Sequence, residues 1–232
     1  MTARVASNRL LALLPQSERA EILSQCDQLT LEFGETLVES GATYSHVYFP
    51  LRGFISLITI MNEKPALESG LVGAEGMLGA TLALGVGSAP TRALVQGAGT
   101  TLRMDVAVFT TLIERYPRLR RIVMHYLHVM IEQLAQTSAC TRFHLVEARL
   151  ARWLLMTRDR ARSDNFDITQ QFLACMLGVR RVGVTAAARK MQERGLIDYC
   201  RGHIEILDRR GLEAAACSCY KADRAVYRRI MA

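Results

Sequence analysis

Residues 170–189, QQFLACMLGVRRVGVTAAAR, decide the fold of the C-terminal part of the chain. Two helices that cross at a fixed steep angle need a small residue at their contact and a glycine where the chain turns. With Gln170 as the first position, Ala174 is that small residue, and Gly178 stands at the ninth, where the turn calls for positive φ. Leu173, Leu177, Val179, Val184 and Ala187 fall where the two helices must bury apolar groups against each other. The next stretch, MQERGLIDYCRGHIEIL, ends the second helix at Gly195 and reads as two short strands turning at Arg201-Gly202. A helix-turn-helix followed by such a wing, centred on residues 168–191, predicts a module that enters a DNA groove.

Helical spacing selects the face. Val184, Ala187, Ala188 and Met191 point inward, so Arg181, Val182, Thr185 and Arg189 share the outer face. Residues near the start of the second helix reach base edges in such docking. Arg181 is therefore the candidate for a bidentate guanine contact. Thr185 suits a hydrogen bond or a thymine methyl. Arg180, Arg189, Lys190 and Arg201 suit phosphates, which give affinity without sequence information.

The charge agrees with this placement. Residues 145–232 hold 17 Lys and Arg against 10 Asp and Glu, and residues 1–144 are balanced at 12 of each, so the whole excess of seven lies in the C-terminal part. Fifteen of the 17 cations are arginine, the side chain that forks onto phosphate and guanine. Half of the 232 residues are hydrophobic and 22% charged, a globular composition. No apolar run is long enough for a membrane span. The start, MTARVASNRLLALLPQSERAE, has no signal-peptide core or cleavage site, so a cytoplasmic protein is expected. Of the six cysteines only Cys217 and Cys219 stand close, and no spacing matches a C-x-x-C pair or a zinc ribbon. They read as small hydrophobes, and no metal ligand is nominated.

Towards the N-terminus the period changes. Residues 8–27 have helical spacing, with Ser17 placed to cap a helix from Glu18 to Cys26. LTLEF, TLVES, HVYFP, GFISLITI, LESGLVG, RALVQG and TTLRM then read as seven or eight short strands. Gly34, Gly41, Gly53, Gly73, Gly97 and Gly99 stand between them as turn residues. An antiparallel barrel or roll follows. Asp105 caps a helix that Pro117 closes, and residues 118–142 carry a stripe of Leu119, Val123, Tyr126, Met130 and Leu134 at coiled-coil spacing. That stripe predicts a homodimer seam. A further helix runs from about Glu147 to Arg160, and one closing helix is expected after Gly211. The fold class is α+β: a β-roll sensor domain over residues 1–117, a dimerisation helix over 118–144, and a winged helix-turn-helix DNA-binding domain over 145–232.

This order resembles the Crp/Fnr family of bacterial transcription regulators, from Leu10 to about Asp208. EARLARWLL, residues 167–207 and HVYFPLRGFISL carry the resemblance. It implies a cyclic-nucleotide-binding-like roll, a homodimer on a two-fold symmetric operator, and RNA polymerase as a candidate partner. The departures matter. Family members that bind cyclic nucleotides have Gly-Glu for the ribose and Arg-Ser or Arg-Thr for the phosphate. Here Gly79 is followed by Ala80, and Arg92 comes after Thr91. Leu134-Ala135 stands where cAMP-responsive members place Thr-Ser. An effector other than cyclic nucleotide is expected, with Glu75, Gly79, Thr91 and Arg92 as the candidate pocket and no cofactor. Only Cys26 lies in the first 139 residues, against the N-terminal iron–sulfur pattern of the oxygen-sensing branch. Val182 and Ala186 replace the family's Glu and Arg on the recognition helix, so the operator differs from the common half-site.

Two other classes compete. A signalling module whose C-terminal part recruits protein would share the architecture but not the steep salt dependence of phosphate binding. An enzyme would need a Ser-His-Asp, metal-ligand or phosphate-loop spacing, and none is found, so no catalytic residue is nominated.

Overall fold

The computed structural model describes residues 7–61 and 64–232, so the first six residues of the N-terminal segment lie outside it. Helices α1 (Arg9–Ala12) and α2 (Gln16–Ser24) lead into strands β1 (Asp27–Leu31), β2 (Thr36–Val38), β3 (His46–Met61), β4 (Lys64–Val72) and β5 (Arg92–Asp105). The strands are antiparallel in the order β1-β5-β3-β4, with β2 also on β5. Then come α3 (Val106–Arg115), α4 (Pro117–Phe143) and α5 (Val146–Ala161). The C-terminal part runs β6 (Asn165–Asp167), α6 (Gln170–Leu177), α7 (Arg181–Glu193), β7 (Ile197–Cys200), β8 (His203–Ile206), α8 (Arg209–Ala215) and α9 (Cys219–Met231). No helix among the described residues is long and apolar enough to cross a membrane.

The roll has fewer and longer strands than the sequence predicts. HVYFP and GFISLITI form one strand, β3, and RALVQG and TTLRM form another, β5. Their register shifts between Pro50 and Ile55. Gly53, at φ 77°, sits in that irregularity, and a Cβ there would strike the carbonyl oxygens of Gly97 and Ala98. A bulge bends a strand without ending it. Gly53, Gly97 and Gly99 therefore mark a bend where two backbones press together, not turns between short strands.

Local capping explains the helix ends. Asp105 accepts the Ala107 N–H at 2.7 Å and starts α3, as expected, and Pro117 opens α4. Ser17 does not cap; α2 begins at Gln16, two residues earlier than expected, after Pro15. The expected single closing helix is two, because α8 already contains Gly211 and ends at Ala215.

Two large cores and a small cluster of Cys140, Cys217 and Cys219 lie among the described residues. The first lies inside the roll and is closed by α3, α4 and the end of α9, with Phe49, Met104, Phe109 and Met231 among its members. Leu119 and Val123 are fully buried there and Tyr126 is 2% exposed, with Met130 packed alongside. The stripe expected to form a dimer seam thus packs on its own roll. A roll open on one side needs a lid, and α4 supplies it. The large apolar side chains left exposed on α4 are Met124, Ile131, Leu134 and, at its last residue, Phe143. Of the five nominated seam residues, Leu134 alone lies on that outer face.

The second core joins Phe54 and Leu71 of the roll to Trp153 of α5 and the apolar faces of α6 and α7. Glu68 of β4 is buried at this junction. One of its oxygens accepts the Trp153 indole N–H at 2.7 Å; the other lies 2.6 Å from Ser56 Oγ, which is 2.9 Å from Gln96 Oε1. A hydroxyl has one hydrogen. A protonated Glu68 donating to Ser56, with Ser56 donating to Gln96, uses each group once. Burial pushes the Glu68 carboxyl up from 4.5 to about 7, against the opposing hydrogen bonds. Within that window the folded chain binds more protons than the unfolded one, so Glu68 makes stability fall as pH rises from 4.5 to about 7 and adds no further slope above it. Glu68→Gln keeps an acceptor for Trp153 and a donor for Ser56. Its thermal midpoint is expected to lack this component of the fall; a pH profile parallel to that of the unsubstituted chain would show that Glu68 does not titrate there.

Candidate nucleic-acid interface

The helix pair is built as its sequence requires. The Thr169 hydroxyl caps α6 by accepting the Phe172 N–H at 3.2 Å. Gly178 takes φ 61° and ends α6, its N–H donating to the Cys175 carbonyl at 3.1 Å, while the Val179 N–H reaches Ala174 at 2.9 Å. A Cβ at Gly178 would press on Leu67 of the roll, against which the turn packs. Leu173 and Val184 are fully buried between the helices, and Ala174, Ala187, Ala188 and Met191 lie within 4% of full burial.

This fixes what α7 presents outward. Arg181, Val182, Thr185, Arg189 and Lys190 are all exposed, as is Arg180 at its N-cap. Val182 is 72% exposed. Arg180 caps α7 without a side-chain hydrogen bond, so the first-turn amides face outward with the positive end of the helix dipole. Thr185 Oγ1 lies 2.6 Å from Gln170 Oε1 and 3.1 Å from the Arg181 carbonyl, which ties the face of α7 to the start of α6.

The cations divide into two groups. Arg189 pairs with Glu193 at 2.9 Å, and Lys190 lies 3.9 Å from Glu147, which also binds Arg194 at 3.0 Å. Arg180, Arg181 and Arg201 have no carboxylate partner among the described residues. These three carry their full charge to any polyanion. Arg201 (φ 49°) and Gly202 (φ 89°) form the two-residue turn between β7 and β8, as the sequence predicts. In the three-stranded order β6-β8-β7 that turn projects beside the start of α7. Between them runs an open groove lined by Gln170, Gln171, Arg181, Tyr199 and Arg201. Gln170, Gln171 and Tyr199 escape the sequence reading as companions of Arg181. Their signal is faint: two glutamines open α6, and Tyr199 shares the inward face of β7 with Ile197, so alternation assigns it to the core.

The four nominated effector-pocket residues do not converge. Gly79 and Thr91 line a cavity of about 30 Å³ between the roll and α4, among Tyr44, Leu57, Val72 and Leu127. That is room for about two waters, against about 300–1,000 Å³ for a ligand pocket. Glu75 does not line that cavity; its Oε1 lies 3.0 Å from Arg160 Nε and accepts the Gly73 N–H at 3.2 Å. Arg92 lies at the surface, 2.7 Å from Glu39.

Comparison with known proteins follows the same division. Residues 148–215 match the model of the Crp-like helix-turn-helix domain. No curated protein matches the chain in sequence. In structure it is similar to FixK2 from Bradyrhizobium japonicum, with TM-score 0.70 and 11% identity over 83% of this chain and 98% of that one. It is also similar to CLP of Xanthomonas campestris, a c-di-GMP responsive global regulator (TM-score 0.66, 14% identity, 84% and 100% covered). A transcriptional regulator of the CRP family from Thermus thermophilus gives TM-score 0.64 at 16% identity, with 81% and 96% covered. At these identities the likeness is one of fold. The chain thus carries a Crp-like helix-turn-helix domain at residues 148–215, and as a whole it has the fold of these structures, a β-roll and a long helix followed by that domain.

Proposed function

We propose that the chain regulates transcription in the cytoplasm as a homodimer, each copy placing α7 in the major groove of one half of a two-fold symmetric operator. The observation that carries this reading is the set of uncompensated arginines at one end of the module. Arg180 and Arg181 open α7, and Arg201 stands at the tip of the wing. Arg181 reads a guanine edge, Val182 and Thr185 flank it, and Arg180, Arg189, Lys190 and Arg201 hold phosphates. The exposed stripe Met124, Ile131 and Leu134 on α4 supports pairing of two copies along that helix, which would set the recognition helices about 34 Å apart. The role is that of a regulator and not of an enzyme, with RNA polymerase as its partner at the promoter.

The controlling signal is an effector other than a cyclic nucleotide. Glu75 is committed to Arg160 and Arg92 to Glu39, and the cavity between roll and α4 is too small and too apolar for a phosphate.

Arg181→Ala tests the base contact. Affinity for the selected operator should fall by about 1–3 kcal/mol, or about 5- to 150-fold, with little change on random duplex at the same salt. An equal loss on both would make Arg181 a phosphate contact and move the reading of bases elsewhere on α7.

A further inference from the structure

Away from the DNA face, four side chains meet at the joint between the long helix and the C-terminal module. Cys140 lies in the last turn of α4 and His144 caps its end. Cys217 precedes α9 and Cys219 opens it. One ligand atom from each of the four lies within 4.8 Å of all the others. Cys140 Sγ is 3.5 Å from Cys217 Sγ, and Cys219 Sγ is 3.5 Å from His144 Nδ1. Four ligands around one zinc ion, with Zn–S about 2.3 Å and Zn–N about 2.0–2.1 Å, stand about 3.5–3.8 Å apart along the edges of a tetrahedron. A polynuclear iron–sulfur cluster spreads its thiolates over several metal atoms and needs a wider cage.

We infer that Cys140, His144, Cys217 and Cys219 form a closed Cys₃His site for a single thiophilic divalent ion, zinc by its ligand set. Buried thiols that merely fill space would account for the three cysteines, which are 1%, 8% and 1% exposed. They would not account for an imidazole nitrogen turned into the group, nor for the Gln136 amide that donates to Cys219 Sγ at 2.9 Å. An amide donor to a ligating sulfur is the outer-shell support such sites use. Three thiolates and one divalent ion leave a net negative charge. Arg149 and Arg152, buried on α5, lie within electrostatic reach of Cys140 and Cys217 to balance it. With four protein ligands no position stays open for substrate, so the ion is structural.

Its place gives it a consequence. The α4 helix turns into α5 at His144 and Leu145, and the ion ties the end of α4 to Cys217, between α8 and α9, and to Cys219, the first residue of α9. Loading the site fixes the angle at which the long helix carries the DNA-binding module. This second step rests on the proposed DNA-binding role; ion binding itself does not.

The test uses the full-length chain kept reduced. The expected result is one zinc per chain by mass spectrometry of the metal. After stripping, cobalt(II) should give the thiolate charge-transfer and intense visible bands of a tetrahedral sulfur-rich site. Cys217→Ser should lose those bands, while Cys26→Ser and Cys175→Ser, outside the group, should keep them. Should Cys217→Ser fail to fold, the unsubstituted chain still decides, because its thermal midpoint should drop on stripping and return with zinc. A reduced chain that takes up neither zinc nor cobalt(II) would overturn the inference. So would iron with acid-labile sulfide, or a Cys140–Cys217 disulfide in the metal-free chain as isolated. Loss of operator binding alone, with the ion retained, would count against the DNA reading and leave the site standing.

Discussion

Replacing Asp223 with alanine is expected to remove about 3–5 kcal/mol of folding stability. Arg152 of α5 and Asp223 of α9 meet at 2.7 Å with side chains 8% and 6% exposed. Arg152 also donates to Thr137 Oγ1 of α4 at 3.0 Å, so one guanidinium gathers three helices. Burial pushes the Asp223 carboxyl above its ordinary value even with Arg152 beside it. Such a pair returns little more than its desolvation costs, yet breaking it leaves the buried guanidinium without its carboxylate. Urea unfolding followed by fluorescence of Trp153, the only tryptophan, measures the loss. The double replacement Arg152→Met with Asp223→Leu should recover most of it. A loss for Asp223→Ala under ~1 kcal/mol, the range of exposed pairs, would show that water reaches Arg152.

Trp153→Ala should cost a similar amount, about 3–5 kcal/mol, for a different reason. The indole is 5% exposed and meets the Phe54 ring edge-on, with centroids 6.3 Å apart. Its N–H fills the acceptor of Glu68. Truncation therefore opens a large cavity and leaves a buried carboxyl oxygen without its donor. Because Phe54 and Glu68 belong to the roll, the loss should appear in a single thermal transition by circular dichroism. Two separated transitions would mean that the roll and the helix-turn-helix unfold independently. Trp153→Phe, which keeps most of the packing, should lose markedly less.

How far the sequence reaches depends on whether a pattern is local. The turn at Gly178, the inward face of Val184, Ala187 and Met191, and the hairpin at Arg201-Gly202 each follow from a few neighbouring residues, and all three appear as expected. The strand breaks do not. A glycine between apolar runs signals either a turn or a bulge, and only the partner strand decides; at Gly53 that partner is the Gly97–Gly99 segment. The long helix shows the same limit in another form. Spacing reveals that Leu119, Val123 and Tyr126 share a face, but not whether a second copy or the chain's own roll covers it. Here the roll does, and the outer face passes to Met124, Ile131 and Leu134. Glu75 and Arg92 are near in sequence to Gly79 and Thr91, yet Glu75 pairs with Arg160 and Arg92 with Glu39, and neither lines the cavity that Gly79 and Thr91 share. The Cys140 and Cys217 sulfurs meet across 77 positions, a distance at which no ligand-spacing rule applies.

The most direct test of the DNA-binding account is the affinity of the full-length chain for a duplex selected from random sequence, titrated over salt against an unselected duplex. The account predicts preference for a two-fold symmetric site, and a log affinity that falls linearly with log salt. The slope should be about −0.9 per phosphate neutralised, and shallower when Arg180 and Arg201 are replaced by alanine. Binding that ignores sequence and barely responds to salt would contradict it, and would turn the C-terminal module into a surface for protein.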